Sequence, residues 1–212
     1  MWLVAPLVNY IRTTSHEILW NYIIMSSNTW FDAVETGDLP MVKELLSKDG
    51  NLLNARSHDG ETAIIKASET GRLAVVRFLL KNGANPDDAD ETSAGQTPLI
   101  HAAFNGHTKI IKLLLDAGAD IEKKNNIPGE GPLITAVQEG QFKVAKLLLE
   151  MGANPNVENT EGETVHMLAT KFLRGDDRAK MCAVLEKSMS GGKKTRKRSK
   201  RRRKRSWRSL IL

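Results

Sequence analysis

The sequence predicts an all-α solenoid of about five stacked helix hairpins, with short hairpin fingers between them and a disordered basic tail. Three landmarks in register carry that expectation. A glycine closes a short apolar stripe at Gly37, Gly71, Gly106 and Gly140, in steps of 34, 35 and 34. A second apolar stripe follows each one: MVKELLSKDG from Met41, VVRFLLKNGA from Val75, IIKLLLDAGA from Ile110 and VAKLLLEMGA from Val144. After a polar connector, a glycine reopens the unit at Gly60, Gly95, Gly129 and Gly162, in steps of 35, 34 and 33.

One unit, Gly95 to Asp120, shows the physics of all of them. Thr97-Pro98 starts the first helix, because threonine caps orphan amides and proline suits the first turn. The stripe from Leu99 to Ala103 ends in Ala102 and Ala103, whose small side chains let a second helix come close. That second helix carries Ile110, Ile111, Leu113, Leu114 and Leu115, apolar over most of its circumference, so it must be buried on more than one side. Gly118 supplies the left-handed residue that ends it. A lone hairpin cannot bury these faces, but stacked copies can.

In chain order, residues 1–27 form an apolar N-terminal segment, 28–188 the repeats and 189–212 the tail. Arg12, His16 and Glu17 interrupt residues 1–25, so neither part reaches the roughly 18 apolar residues of a membrane span. No positive start and small-residue cleavage site mark a signal peptide. Three readings stay open for this segment: a helix over the end of the stack, a membrane-surface segment, or untranslated sequence ahead of a start at Met25.

The repeats resemble the ankyrin repeat, whose signature runs T-P-L-H-x-A-A, then G-H, then an apolar helix ending G-A-D. GQTPLIHAAFNGH with LLLDAGAD matches closely, while GETAIIKASETGR with LLKNGANP, and GPLITAVQEGQ with LLLEMGANP, match less closely. TWFDAVETGDLPMVKELLSKDG is similar to an N-terminal repeat, and GETVHMLATKFLRGDDRAKMCAVLEK to a diverged C-terminal one with its glycine two residues late, at Gly175. The resemblance implies a protein-interaction module whose partner docks on a concave face beside the fingers. Ile65, Ile100, Ile134 and Met167 replace the signature histidine, which in the family bonds neighbouring repeats, so apolar packing is expected in its place. Thr62, Thr97 and Thr164 persist, but Gly131 stands where the fourth threonine would be.

The tail is built differently. KKTRKRSKRRRKR places eleven cations in thirteen residues: Lys193, Lys194, Arg196, Lys197, Arg198, Lys200, Arg201, Arg202, Arg203, Lys204 and Arg205. The last twenty residues hold 12 of the 31 basic residues and none of the 25 acids, which leaves 19 against 25, net −6, for residues 1–192. A like-charge run this dense does not fold alone. It suits a nuclear address read by importin, nonspecific nucleic-acid contact, a merely solubilising tail or, with Trp207 and Leu210-Ile211-Leu212, an anionic membrane surface, although a membrane partner is not expected. Composition also makes it similar to basic tails on proteins of large DNA viruses. The body's sequence shows no basic groove and no recognition helix, so residues 1–192 are not expected to bind nucleic acid.

Catalysis is not expected. No His-Glu-x-x-His, phosphate-binding glycine loop or G-x-S-x-G occurs. His107 sits at the G-H position, His101 at a variable position facing the concave side, and His58 and Asp59 at a turn. No cofactor or metal is implied. Cys182 is the single cysteine and sequons are absent, which points to a reducing compartment, nucleus or cytoplasm (of a host cell, if the chain is viral). A monomer is expected.

The connectors vary most. From the alanine of the G-A-D motif to the next opening glycine, Ala153 to Gly162 spans nine residues, Ala119 to Gly129 ten and Ala84 to Gly95 eleven. The long finger carries Asp87, Asp88, Asp90 and Glu91, and the next carries Asn125 and Asn126. These six are the candidate partner-binding residues, and a solvated acidic loop without a binding role is the alternative for the long finger. The charge split also suggests that acidic fingers hold the basic tail until a competing polyanion removes it.

Overall fold

A computed structural model describes residues 29–92, 94–126 and 129–189. Among the described residues, ten helices fall into five hairpins. The first is α1 (residues 29–36) with α2 (Leu39–Lys48), followed by a short 3-10 turn at Gly50–Asn54. Then come α3 (Ala63–Glu69) with α4 (Leu73–Lys81), α5 (Pro98–Phe104) with α6 (Thr108–Asp116), and α7 (Pro132–Gln138) with α8 (Phe142–Glu150). The last pair is α9 (Val165–Phe172) with α10 (residues 175–189).

Stacking is two-layered. The first helices α3, α5, α7 and α9 touch in succession, and so do the second helices α2, α4, α6 and α8. One continuous core results, from Trp30 and Val34 through Ile64, Leu79, Leu99, Ile111, Leu114, Ile134 and Leu148 to Leu168 and Leu185. Each such Ile or Leu contributes about 1.5–3 kcal/mol on burial, against helices α2 to α9 of seven to ten residues that would not persist alone. Ile65, Ile100 and Ile134 are wholly enclosed between repeats, whereas Met167, in the same register, is 52% exposed.

Polar links between repeats exist as well, from a different position than the signature histidine. The residue after Gly71, Gly106 and Gly140 reaches back to a carbonyl of the preceding repeat: Arg72 Nε donates to Glu35 O (2.6 Å) and Gln141 Nε2 to Phe104 O (3.0 Å), while His107 Nε2 lies 3.0 Å from Glu69 O.

Capping follows the threonine pattern in part. Thr97 and Thr164 accept from the amides of Ile100 and Met167, both at 3.3 Å. Thr62 caps with its backbone only, and its buried hydroxyl has no partner. Where Gly131 replaces threonine, the helix start has no side-chain cap. Gly118 has φ +94° just past α6, as a C-terminal glycine should. The last hairpin departs from the others: Leu173 occupies the expected glycine place with extended backbone and packs against Gly140, and Gly175 opens α10.

Candidate interaction surface

Four fingers project between the hairpins, and each closes on the same reciprocal pair. The amides of Ser57, Asp90, Asn125 and Asn159 donate to the carbonyls of Glu61, Gln96, Glu130 and Glu163, at 2.9, 3.0, 2.9 and 3.1 Å. The side chain of the same residue accepts the return amide: Ser57 Oγ from Glu61 (3.3 Å), Asp90 Oδ2 from Gln96 (3.1 Å), Asn125 Oδ1 from Glu130 (2.7 Å) and Asn159 Oδ1 from Glu163 (2.9 Å). Between the two partners lie three, five, four and three residues. The longer connectors therefore insert their extra residues at the tip and leave the base unchanged.

The candidate residues divide accordingly. Asp90 and Asn125 are buried at finger bases and face their own backbone. Asp90 is the most heavily bonded: Oδ1 takes the Thr92 amide (3.0 Å) and hydroxyl, Oδ2 takes Gln96, and His101 Nε2 lies 3.5 Å from Oδ2. Burial alone would raise its pKa, but the bonds from Thr92, Gln96 and His101 outweigh burial and hold it below the usual carboxylate value. Asp87 spends both oxygens on the amide of Asp120 in the next repeat, at 3.0 and 3.1 Å. Asp88 and Glu91 each meet Arg56 at 3.0 Å. Glu91 and Asn126 are exposed at tips. The cations from Lys193 to Arg205 lie outside the described residues.

Arg56 is the residue that sequence reasoning missed. Its guanidinium donates to Gly60 O (2.7 Å) and Ala89 O (3.0 Å) as well as to Asp88, so one side chain ties the first finger to the second. The tips are joined too: the Glu91 amide donates to Gly60 O (3.2 Å) and the Asn126 amide to Ala94 O (2.7 Å). Gly60 permits this approach, since a Cβ there would stand 2.7 Å from Glu91 Cβ. Arg56 thus pairs with both Asp88 and Glu91 across the fingers, and much of the acidic character of the second finger is spent inside the protein.

Beside the fingers, the first helices carry a mixed surface. Lys66 binds Glu61 (2.7 Å) and Glu69 (2.8 Å). Burial opposes its charge, but the two carboxylates more than compensate and raise its pKa. Lys171 meets Glu163 at 2.7 Å, a contact that holds the Glu163 carboxyl below its ordinary value. Phe104, at the end of α5, is 49% exposed. Among the described residues, no three or more His, Cys, Asp or Glu side chains are grouped to hold a metal ion. Also among them, no helix is long and apolar enough to cross a membrane.

Comparison with known proteins agrees with this architecture. A family model described as ankyrin repeats (three copies) matches residues 30–125, and a single ankyrin repeat matches 129–160. The ankyrin repeat and SAM domain-containing protein 6 of Mus musculus is 35% identical over 91 residues, 43% of this chain and 10% of that protein. The DNA-binding protein RFXANK of Homo sapiens is 46% identical over 50 residues, 24% of this chain and 19% of that protein. The acyl-CoA-binding domain-containing protein 6 homolog of Dictyostelium discoideum is 35% identical over 52 residues, 24% of this chain and 18% of that protein. The chain thus spans a fifth or less of each of these relatives.

Proposed function

The chain belongs to the ankyrin-repeat family, a protein–protein interaction module, and from that premise we propose that it is a non-enzymatic scaffold inside the cell, in nucleus or cytoplasm. Its partner docks on the surface formed by the fingers and first helices. The observation that carries this is Phe104: a large apolar side chain, half exposed, at the end of a first helix in a row whose other first helices carry the Lys66 and Lys171 ion pairs. Buried aromatic anchors inside a polar rim dominate interface energies, and a preorganised surface spends little on ordering. The tail from Lys193 to Arg205 supplies a second, electrostatic function, as a nuclear address read by importin or as a polyanion contact.

Quantitative affinity capture tests the first part. Phe104→Asp is expected to lose the bound proteins at least tenfold while far-UV circular dichroism stays unchanged, and removal of residues 191–212 is expected to leave them bound. A partner set indifferent to Phe104→Asp but dependent on the tail would reverse the assignment. That reversed reading, in which the tail does the work and the repeats tether it, draws support from the relative named as DNA-binding. Fusing residues 191–212 to an inert carrier tests the nuclear address, with nuclear accumulation the expected result.

A further inference from the structure

The outward side of the second helices has a regularity that overall composition hides. Lys43, Arg77, Lys112 and Lys146 each stand six residues past a hairpin glycine, on α2, α4, α6 and α8, and all four are exposed. One turn earlier, α6 and α8 add Lys109 and Lys143, also exposed. Because successive second helices touch, and packed helices lie about 8–10 Å apart, the four equivalent cations form a row about 25–30 Å long.

These four helices hold eight basic and three acidic residues, net +5. The remainder of residues 29–189 holds ten basic and 21 acidic residues, net −11. The negative net charge of the body is therefore an average over basic second helices and an acidic remainder. Arg77, Lys109, Lys112 and Lys143 form no ion pair with a described residue. Lys146 reaches Glu150 only at 3.9 Å, with both side chains well exposed, and Lys43 stands 5.9 Å from the ring centroid of Phe78. Of the three acids on these helices, Glu44 is engaged by Lys48, while Asp116 and Glu150 lie a turn beyond the row toward the helix C-termini.

We propose that this row is a docking surface for the phosphate backbone of a nucleic-acid duplex, acting together with the basic tail. It rests on the polyanion part of the function proposed above, but locates the contact on the folded stack. Three features favour this ligand. The cations repeat at near-constant pitch along one line, which fits an extended partner of uniform charge. Duplex DNA presents about one charge per 1.7 Å of axis, so a row of this length faces phosphates throughout. The large exposed apolar side chains, Phe104, Met167, Phe172 and Met151, lie off the row, so nothing in it is built to enter a lipid surface. With no amide side chain in the row and a single arginine, base reading is not expected, and binding is sequence-tolerant.

Fluorescence anisotropy with a mixed-sequence DNA duplex, across a salt series, tests this on the full chain. The row variant carries Lys43→Gln, Arg77→Gln, Lys112→Gln and Lys146→Gln. A charge-matched control carries Lys124→Gln, Arg174→Gln, Arg178→Gln and Lys180→Gln, all at exposed positions. Circular dichroism confirms that both fold. Loss of four phosphate contacts makes the slope of log K against log salt shallower by about 3–4 in the row variant, and by less than about 1 in the control. Equal effects in the two variants, or none in the row variant, would overturn the proposal. Vesicles containing phosphatidylserine and a polyglutamate peptide are run in parallel. Tighter binding to either than to duplex, lost in the same variant, would overturn the nucleic-acid assignment. Protein capture and duplex binding use different residues, so Phe104→Asp and the row variant fail separately.

Discussion

Replacing Arg56 with alanine is expected to loosen two fingers at once. The guanidinium makes charge-assisted bonds to two backbone carbonyls, Gly60 O and Ala89 O, and pairs with Asp88 and Glu91. Its side chain is 29% exposed and that of Asp88 24%, so solvent screens both in part, while Glu91 at 67% contributes almost nothing. About 1 kcal/mol for each carbonyl bond and about 0.5–1 for the Asp88 pair give a loss of about 2–3 kcal/mol. For a domain of this size that corresponds to a fall in Tm of about 5–10 °C. Arg56→Lys should keep about half of the stability, since a point ammonium cannot hold acceptors on both sides of a fork. Urea denaturation at constant m-value measures the loss, and hydrogen exchange should speed up at the Glu91 amide, whose acceptor is Gly60. A loss under about 0.5 kcal/mol, with Glu91 protection intact, would refute the claim that Arg56 joins the fingers.

Gly118→Val should cost about 1–2 kcal/mol from backbone strain alone, because φ is +94° and an added Cβ would meet nothing within 4 Å; an unchanged melting curve would count against it. Thr62→Val, which removes a buried hydroxyl without a partner, should be neutral or stabilising, while Thr97→Val should cost about 1 kcal/mol through loss of a cap, both read by thermal melting. Asp90 has its folded pKa below its ordinary 3.8, so its contribution is present above about pH 4 and disappears as pH falls through the folded value. Asp90→Asn should therefore flatten the acid limb of the stability profile while lowering stability at neutral pH. Ile100→Ala should cost about 2–5 kcal/mol, whereas Met167→Ala, at the same register but half exposed, should cost far less in the same assay.

Much of the fold could be read from glycine spacing, because a residue with positive φ at each helix turn leaves a mark that no other side chain replaces well. Finger lengths were legible for a similar reason: extra residues between Ala84 and Gly95 had to go somewhere, and they lie beyond the Asp90–Gln96 closure. What Asp90 and Asn125 do was not legible. An acid in a polar connector resembles a solvated charge until its amide partners, up to six residues on, are placed. Arg56 was hidden further, since its acceptors Ala89 and Asp88 are 33 and 32 residues away in another loop. The basic row was present in the sequence at the repeat period, but summing charge over residues 1–192 merged it with the acids of the fingers, turns and other helices.

The closure at each finger base separates two kinds of change. A tip of three, four or five residues rests on the same paired amide and acceptor, so lengthening or rewriting a tip does not disturb the layers beneath it. Neighbouring tips nevertheless hold one another, through Glu91 to Gly60 and Asn126 to Ala94. A new tip must therefore be compatible with two neighbours only, whatever the length of the stack. Variation in what the protein recognises can then accumulate one finger at a time, like movable type set in a fixed frame.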